Sequence, residues 1–251
     1  MLTIARITFR EMLREKYVHI VIFISILLFL FSLVLGSLSF DEQTRIVIHL
    51  GLAAIQLSIV GIAIFIGTSL IVKEIERQTC LIVLARPITR VQFYVGKYLG
   101  ALGINFVICL ILVCILWIFS ENAVGFLPLL LVVLGSFFES SILLATSLFL
   151  SLIMRPAVAL FSSIGIFIIG NWLEELVYFA NKSKNPLFES FAKLVHNVFP
   201  QLYRTNWRSF HIIQNHLLTT DQVGWVIIHS LGWTILLVGL GTLIFRRKDL
   251  V

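Results

Sequence analysis

Six long apolar runs constrain the fold of this chain more than any other feature of its sequence. A helix needs about 20 mostly apolar residues to cross the hydrocarbon core of a membrane. Lipid offers no hydrogen-bond partner for backbone groups, and the strands of membrane barrels are short and alternate in polarity, so these runs are predicted to be helices. The sequence therefore predicts an all-α polytopic membrane protein with six transmembrane helices, at 18–38, 46–72, 98–119, 126–153, 157–180 and 223–245.

Composition supports a single transmembrane domain over residues 1–251. Apolar residues make up 59% of the chain and charged residues 13%, whereas a soluble domain is about half apolar and a quarter charged. The second and fourth runs are longer than a bilayer requires, so we expect them to tilt, break or extend beyond it. The fifth run has the least clear end, because Asn171, Glu174 and Glu175 interrupt its second half.

The distribution of lysine and arginine predicts the orientation, because these residues are enriched in cytoplasmic loops. The net charge of +6 is then explained by basic residues between the apolar runs that set the orientation in the membrane, and no nucleic-acid partner is expected. The first apolar run is too long for a signal peptide, so we expect it to remain as the first helix. Both termini are predicted to be cytoplasmic, with Arg6, Arg10, Arg14, Lys16, Lys73, Arg77, Arg86, Arg90, Lys97, Arg155, Arg246, Arg247 and Lys248 inside and Arg45, Lys182, Lys184, Lys193, Arg204 and Arg208 outside.

Residues 1–17 predict an amphipathic helix on the inner membrane surface. Apolar and charged residues alternate there at roughly helical spacing. Two interpretations remain open, an elbow helix that contacts a cytoplasmic partner and a basic flank that only sets the topology. The apolar set is Ile4, Ile7, Phe9, Met12 and Leu13, and the charged set is Arg6, Arg10, Glu11, Arg14 and Glu15.

The cytoplasmic loop 73–97 is longer than a connection between neighbouring helices needs. Thr89 and Gln92 form a capping-box pattern, which predicts a helix that starts at Arg90 and continues into the third transmembrane helix. Pro87 ends whatever structure precedes it. The apolar stretch 80–85 is a candidate contact for another protein, although it could instead lie flat on the membrane. A G-x-x-x-G pattern at 96–100 would allow close helix packing.

The segment 172–222 is predicted to lie outside the membrane on the extracytoplasmic side. A helical stripe of apolar residues runs from Leu187 to Val198 and stops before Pro200. A weaker stripe follows, formed by Trp207, Phe210, Ile213 and Leu217. Their aromatic content is typical of helices at the membrane surface. These short helices could gate an exit for substrate or form a structural cap.

Glu139 is an ionisable residue in the middle of the fourth run. Such a group costs about 2–3 kcal/mol at the centre of a membrane, so it should face the bundle interior, an aqueous cavity or a subunit interface. One hypothesis is a residue of the transport path or of the interface, and the other is a hydrogen-bonded packing residue. Nearby hydroxyl groups could share its hydrogen bonds, namely those of Ser140, Ser141, Thr146 and Ser147.

No catalytic, cofactor-binding or metal-binding motif is recognisable, so the chain is not expected to be an enzyme. Glu174 and Glu175 begin a motif of intramembrane proteases, but Tyr178 stands where that motif needs arginine. His211 and His216 are five residues apart, which does not place both on one helix face. The three cysteines have neither disulfide nor metal spacing. Without a nucleotide-binding motif, any ATP must be bound by another chain.

Three runs of the 73–97 loop resemble one transporter family. They are Lys73–Thr79, Leu84–Arg90 and Phe93–Lys97, and they resemble the loop between the second and third helices of type-two ABC exporter permeases. The basic tail Phe245–Leu250 and the six-helix layout with its amphipathic N-terminal helix are similar too. The long segment before the last helix is similar to that of a subgroup of small bacterial permeases.

The resemblance implies the transmembrane subunit of an ATP-driven exporter in a bacterial plasma (inner) membrane. Its partners would be two copies of a cytoplasmic ABC ATPase that holds ATP and magnesium, a second permease chain that is identical or related, membrane lipids, and an accessory periplasmic protein. A membrane enzyme built from Glu174, Glu175, His211 and His216 and a scaffold that moves no solute are the alternatives. The resemblance assigns ATPase coupling to Glu74, Glu76, Arg77, Thr79, Pro87, Arg90 and Lys97.

Overall fold

The computed structural model describes residues 1–37, 43–76, 88–120, 124–183, 185–208 and 220–247, and within these ranges the chain is helical and contains no strand. Arg77, Thr79, Pro87 and the apolar stretch 80–85 lie outside the described residues. The helices are α1 (Leu2–Met12), α2 (Lys16–Ser37), α3 (Gln43–Leu70), α4 (Val72–Glu76), α5 (Arg90–Phe119), α6 (Phe126–Ile153), α7 (Pro156–Ser183), α8 (Pro186–Val198), a 3-10 helix (Leu202–Thr205) and α9 (Thr220–Arg247).

Six of the described helices are long and apolar enough to cross a membrane, which confirms the predicted fold class. They are α2, α3 with its continuation α4, α5, α6, α7 and α9. The second apolar run does break, because a turn at Ile71 separates α3 from α4. The polar residues of the fifth run do not interrupt it, and α7 continues through Glu174 to Ser183. Residues 172–183 therefore continue this helix.

Helices α3 and α6 form the centre of the bundle. Gly67 on α3 lets the two helices approach closely, because a Cβ atom there would collide with the side chain of Ser147 on α6. The Ser147 hydroxyl donates a hydrogen bond to the carbonyl of Ala63 at 3.3 Å. Small residues at a helix crossing let the two backbones come into contact. Close packing of this kind is one of the forces that hold helices together in lipid.

Helices α2, α7 and α9 lie at the periphery and expose mainly apolar side chains. Phe23, Phe161 and Ile228 have exposed fractions of 66%, 72% and 74%. In a bilayer, such a surface faces hydrocarbon or another membrane helix, because water would not tolerate so large an apolar patch.

The predicted stripe from Leu187 to Val198 is a helix, α8, whose first residue Pro186 follows the capping side chain of Asn185. Its apolar face is exposed, with Leu187 81% and Phe191 58% accessible. Such a face suits the interfacial region of a membrane.

The chain after α8 enters the bundle instead of remaining on its surface. Leu202 and Trp207 are 0% and 4% exposed, so of the two predicted positions for Trp207, on the membrane surface or in a cap of the bundle, its burial favours the second. Two glycines make room for this segment, because a Cβ at Gly170 of α7 would lie 2.7 Å from Leu202 Cγ and one at Gly135 of α6 would lie 3.0 Å from the Trp207 ring. The rest of the predicted stripe, Phe210, Ile213 and Leu217, lies outside the described residues.

Candidate coupling site and polar cluster

Helix α1 packs along the beginning of α5, at the end of the bundle that carries the N-terminus. A Cβ atom at Gly96 would lie 2.9 Å from Ile4 Cβ, and one at Gly100 would lie 2.6 Å from the carbonyl oxygen of Ala5. Ile4 and Thr8 are buried in this contact. The G-x-x-x-G pattern of α5 therefore serves contact with the amphipathic helix.

Lys97 lies at the centre of the junction between α1, α4 and α5. It is 4% exposed, although it is a lysine. Its Nζ forms an ion pair with Glu11 of α1 at 3.1 Å and a second, shorter one with Glu74 of α4. A lysine is almost never fully buried unless it is paired. One cation thus connects the amphipathic helix, the start of the 73–97 loop and the third transmembrane helix.

A second ion pair reinforces the same junction near the membrane surface. Lys73 Nζ lies 2.9 Å from a carboxylate oxygen of Glu15, and both side chains are partly exposed. Glu11 lies in the last turn of α1 and Glu15 follows that helix, and each forms an ion pair with a lysine of α4 or α5. Glu76, at the last position of α4, is exposed.

The start of α5 is also attached to the end of the last helix. The predicted capping box is confirmed, since the Thr89 hydroxyl accepts from the Gln92 backbone N–H and the Gln92 side chain accepts from that of Thr89. The Arg90 guanidinium donates to the carbonyls of Phe245 and Arg246 at 3.3 and 3.0 Å. A cation at this position complements the negative end of the α9 dipole.

The structure brings together some of the sequence-predicted coupling residues and adds others. Lys97 contacts Glu74, whereas Arg90 contacts the C-terminal end of α9. Glu11 and Glu15 were recognised as the polar face of an amphipathic helix, but their partners were not. The sequence shows two glutamates among the basic residues of this segment, which indicates a charged helix face. It does not show which distant lysine each glutamate approaches.

Glu139 is enclosed within the single chain and hydrogen-bonds to two other helices. Its carboxylate oxygens accept from Gln56 Nε2 at 2.7 Å and Asn171 Nδ2 at 2.6 Å. All three residues lie near the middle of their helices. The partners are therefore amides of α3 and α7, and not the neighbouring hydroxyls. Of those hydroxyls, that of Ser140 binds Asn105 of α5 at 2.8 Å.

Arg208 adds a positive charge in the surroundings of Glu139. Burial lowers the pKa of Arg208, and the opposite charge of Glu139 counteracts that effect. This arginine follows the buried Trp207, so the inserted segment 200–208 carries a cation toward the polar cluster. We refer to Gln56, Glu139 and Asn171 as the polar triad.

The structure describes only part of the alternative enzyme site. Glu174 and Glu175 are exposed on α7, whereas His211 and His216 lie outside the described residues. Among the residues that are described, no group of three or more histidine, cysteine, aspartate or glutamate side chains is arranged to hold a metal ion.

Six apolar helices, a buried polar triad and a charged junction at one end define the class of this protein as an integral membrane protein of the helical-bundle type. Its family follows from a comparison with models of protein families. The model described as ABC-2 family transporter protein matches residues 2–250. The chain therefore belongs to the ABC-2 family of transporter proteins. No curated protein matches the sequence significantly.

Proposed function

We propose that this permease subunit belongs to an ATP-driven exporter, in which ATP is hydrolysed on a partner and substrate crosses the membrane through this chain. Membrane components of its family generally pair with an ATPase subunit. The observation that carries the proposal is the burial of Lys97 between two carboxylates of different helices. A junction of this kind transmits movement of a bound partner, because the helices it joins move together.

The charged junction offers a route from the partner into the bundle. The ATPase would contact α4 and the loop that follows it, with Glu76, Arg77, Thr79 and Pro87 as contact residues. Displacement of α4 would then move α1 and α5 through Lys97. Arg90 would extend the movement to α9, because its guanidinium holds the last carbonyls of that helix.

The polar triad is the proposed point at which the bundle changes its arrangement. Glu139 joins α6 to α3 and α7 by two hydrogen bonds. Separation of these helices breaks bonds that lipid cannot replace, so a rearrangement must exchange them for others or admit water. We assign Glu139 to the transport path or to an interface that forms as the path opens.

The assembly that we propose contains two identical permease chains and two ATPase subunits in a bacterial plasma membrane, with both termini in the cytoplasm. The peripheral helices α2, α7 and α9 supply enough exposed apolar surface for a second permease chain and for lipid. The basic residues of the junction suit the cytoplasmic side, where anionic lipid headgroups attract them. An accessory periplasmic protein could contact α8.

Affinity purification in mild detergent from the native host tests this proposal, with an ATPase assay on the purified material. We expect a soluble ATPase in equal stoichiometry. The charge reversal Glu76→Lys should remove it, because Glu76 is exposed at the end of α4. Glu175→Lys, an equally exposed site at the other end of the bundle, is the matched control and should retain it. Recovery of the chain without any ATPase, even after crosslinking, would contradict the proposal.

A further inference from the structure

A cavity of about 400 Å³ opens at the end of the bundle opposite α1. Residues of α7, of the inserted 3-10 helix and of the first two turns of α9 form its walls. Sites for small ligands usually measure about 300–1,000 Å³, so this cavity is large enough for a polar headgroup. Its walls are formed by Glu174, Tyr203, Arg204, Trp207, Asp221, Gln222, Trp225 and Val226.

The cation of the cavity is held by aromatic rings. The Arg204 guanidinium lies 4.3 Å from the centre of the Trp225 ring and 5.5 Å from that of Tyr203. Its Nε donates to the Tyr203 hydroxyl at 3.0 Å. Only Nε is used in this hydrogen bond, so the outer nitrogens of the guanidinium can bind an anion in the bidentate manner that arginine favours.

The wall behind Arg204 is itself fixed by contacts within the chain. Trp225 stacks on His229 one turn further along α9, with 4.5 Å between the ring centres. His229 Nε2 accepts the backbone N–H of Gln201 at 3.3 Å, which ties the 3-10 helix to α9. A site whose groups are held in place before binding loses less entropy when a ligand arrives.

Two carboxylates line the same cavity from different helices, Glu174 from α7 and Asp221 from α9. Within the described part of the chain, neither forms an ion pair, and Arg204 has no carboxylate partner either. The cavity therefore presents one cation and two anions that do not neutralise each other by direct contact. A ligand that matches this arrangement carries an anionic group and an ammonium group close together.

The position of the cavity indicates that such a ligand comes from the membrane. Tryptophan and tyrosine side chains at helix ends are typical of the headgroup region. The exposed apolar face of α8 lies at the same end of the bundle and would rest in the acyl-chain boundary of the same leaflet. Acyl chains could remain in the bilayer while the headgroup enters the cavity.

We propose that this cavity binds the zwitterionic headgroup of a phospholipid, with the phosphate on Arg204 and the ammonium group on Glu174 and Asp221. The inference does not depend on ATPase coupling. It requires only that the chain is embedded in a membrane, and it adds a ligand site distinct from the charged junction and the polar triad.

Native mass spectrometry of the purified chain tests the site, with phosphatidylethanolamine and phosphatidylglycerol as probes. We expect tighter binding of phosphatidylethanolamine. Arg204→Gln and Glu174→Gln should each weaken it roughly tenfold, the usual consequence of losing one charged hydrogen bond. Glu175→Gln, which changes the adjacent carboxylate outside the cavity wall, should leave it unchanged.

Several outcomes would overturn the proposal. They are equal binding of the two lipids, or an Arg204→Gln variant that melts at the wild-type temperature and still binds phosphatidylethanolamine as tightly. Soluble glycerophosphoethanolamine distinguishes the source of the ligand. If it bound as tightly as the lipid, the headgroup would be recognised from solution, and the membrane source would be wrong.

Discussion

Lys97 has an unusual environment for a lysine, since its side chain is buried where α1, α4 and α5 meet. Two carboxylates compensate for the lost hydration, one from α1 and one from α4. Removing one member of a buried pair is costly because the other loses the opposite charge that offsets its desolvation. Glu74 is 13% exposed and Glu11 is 46% exposed, so most of the cost falls on Glu74.

Lys97→Met should lower the stability of the chain by about 1.5–3 kcal/mol, the range for losing a hydrogen bond between charged groups. Lys73→Met is the matched control, because Lys73 and Glu15 are both partly exposed and such pairs contribute only about 0–1 kcal/mol. Thermal unfolding of the detergent-solubilised variants measures the difference. Equal melting temperatures for the two variants would show that Lys97 is not the centre of the junction.

Glu139 supports a prediction about the bundle interior. Glu139→Leu leaves the amides of Gln56 and Asn171 without their acceptor, and each such bond is worth about 1–2 kcal/mol at most in a membrane. Glu139→Gln retains one carbonyl oxygen as an acceptor and should cost less. We expect wild type to be the most stable, Glu139→Gln less stable and Glu139→Leu the least stable, as measured by thermal unfolding. A Leu variant at least as stable as wild type would mean that the polar triad serves function only.

At the scale of helices, the close approach of α1 and α5 depends on the absence of side chains at Gly96 and Gly100. A Cβ at Gly100 would lie 2.6 Å from the backbone oxygen of Ala5, and backbone cannot move aside without displacing α1. Gly103, three residues further along α5, has only Phe9 nearby at 3.5 Å, an ordinary contact. The two positions thus form a matched pair on one helix.

We expect Gly100→Ala to detach α1 and Gly103→Ala to leave it in place. Overpacking typically costs about 1–3 kcal/mol, which is enough to loosen a short helix such as α1. Hydrogen exchange of residues 2–12 provides the measurement, and exchange should be faster in Gly100→Ala alone. If both variants retained wild-type protection, α1 would be held by its ion pairs and not by the glycine contact.

The elements of this fold differ in how far the sequence predicts them. Apolar runs long enough to span a bilayer identify the six transmembrane helices, and the Thr89 capping box identifies the start of α5. Both signals are local in the sequence. The insertion of Leu202 and Trp207 between α6 and α7 is not predictable in this way. It depends on glycines at 135 and 170, which are common in membrane helices and do not reveal what packs on them.

The candidate site shows the same limit at the level of single contacts. The 73–97 loop is recognisable by resemblance, and Glu139 by its charge within an apolar run. The partners of Lys97 and Glu139 are far away in sequence, since Glu11 and Gln56 lie on other helices. Only packing of the bundle determines which polar groups meet, so the sequence identifies Lys97 and Glu139 but not their partners.

At the scale of the whole molecule, the charged junction and the cavity beside Arg204 lie at opposite ends. Coupling to a cytoplasmic ATPase requires the junction to face the cytoplasm. Labelling by a membrane-impermeant maleimide tests this in a variant without Cys80, Cys109 and Cys114. A cysteine in place of Lys193 on α8 should react in intact cells, whereas one in place of Leu2 should react only after permeabilisation. The reverse labelling pattern would show that the charged junction faces the outside of the cell.

The central claim is that the nucleotide state of an ATPase partner reaches the bundle through Lys97. Hydrogen exchange of the purified complex, with and without ATP trapped by vanadate, tests it most directly. We predict that trapping changes the exchange of residues 2–12, 72–76 and 90–100 together, and that Lys97→Met restricts the change to 72–76. If trapping changed nothing in this chain, or if Lys97→Met left the change in α1 and α5 intact, the claim would be wrong.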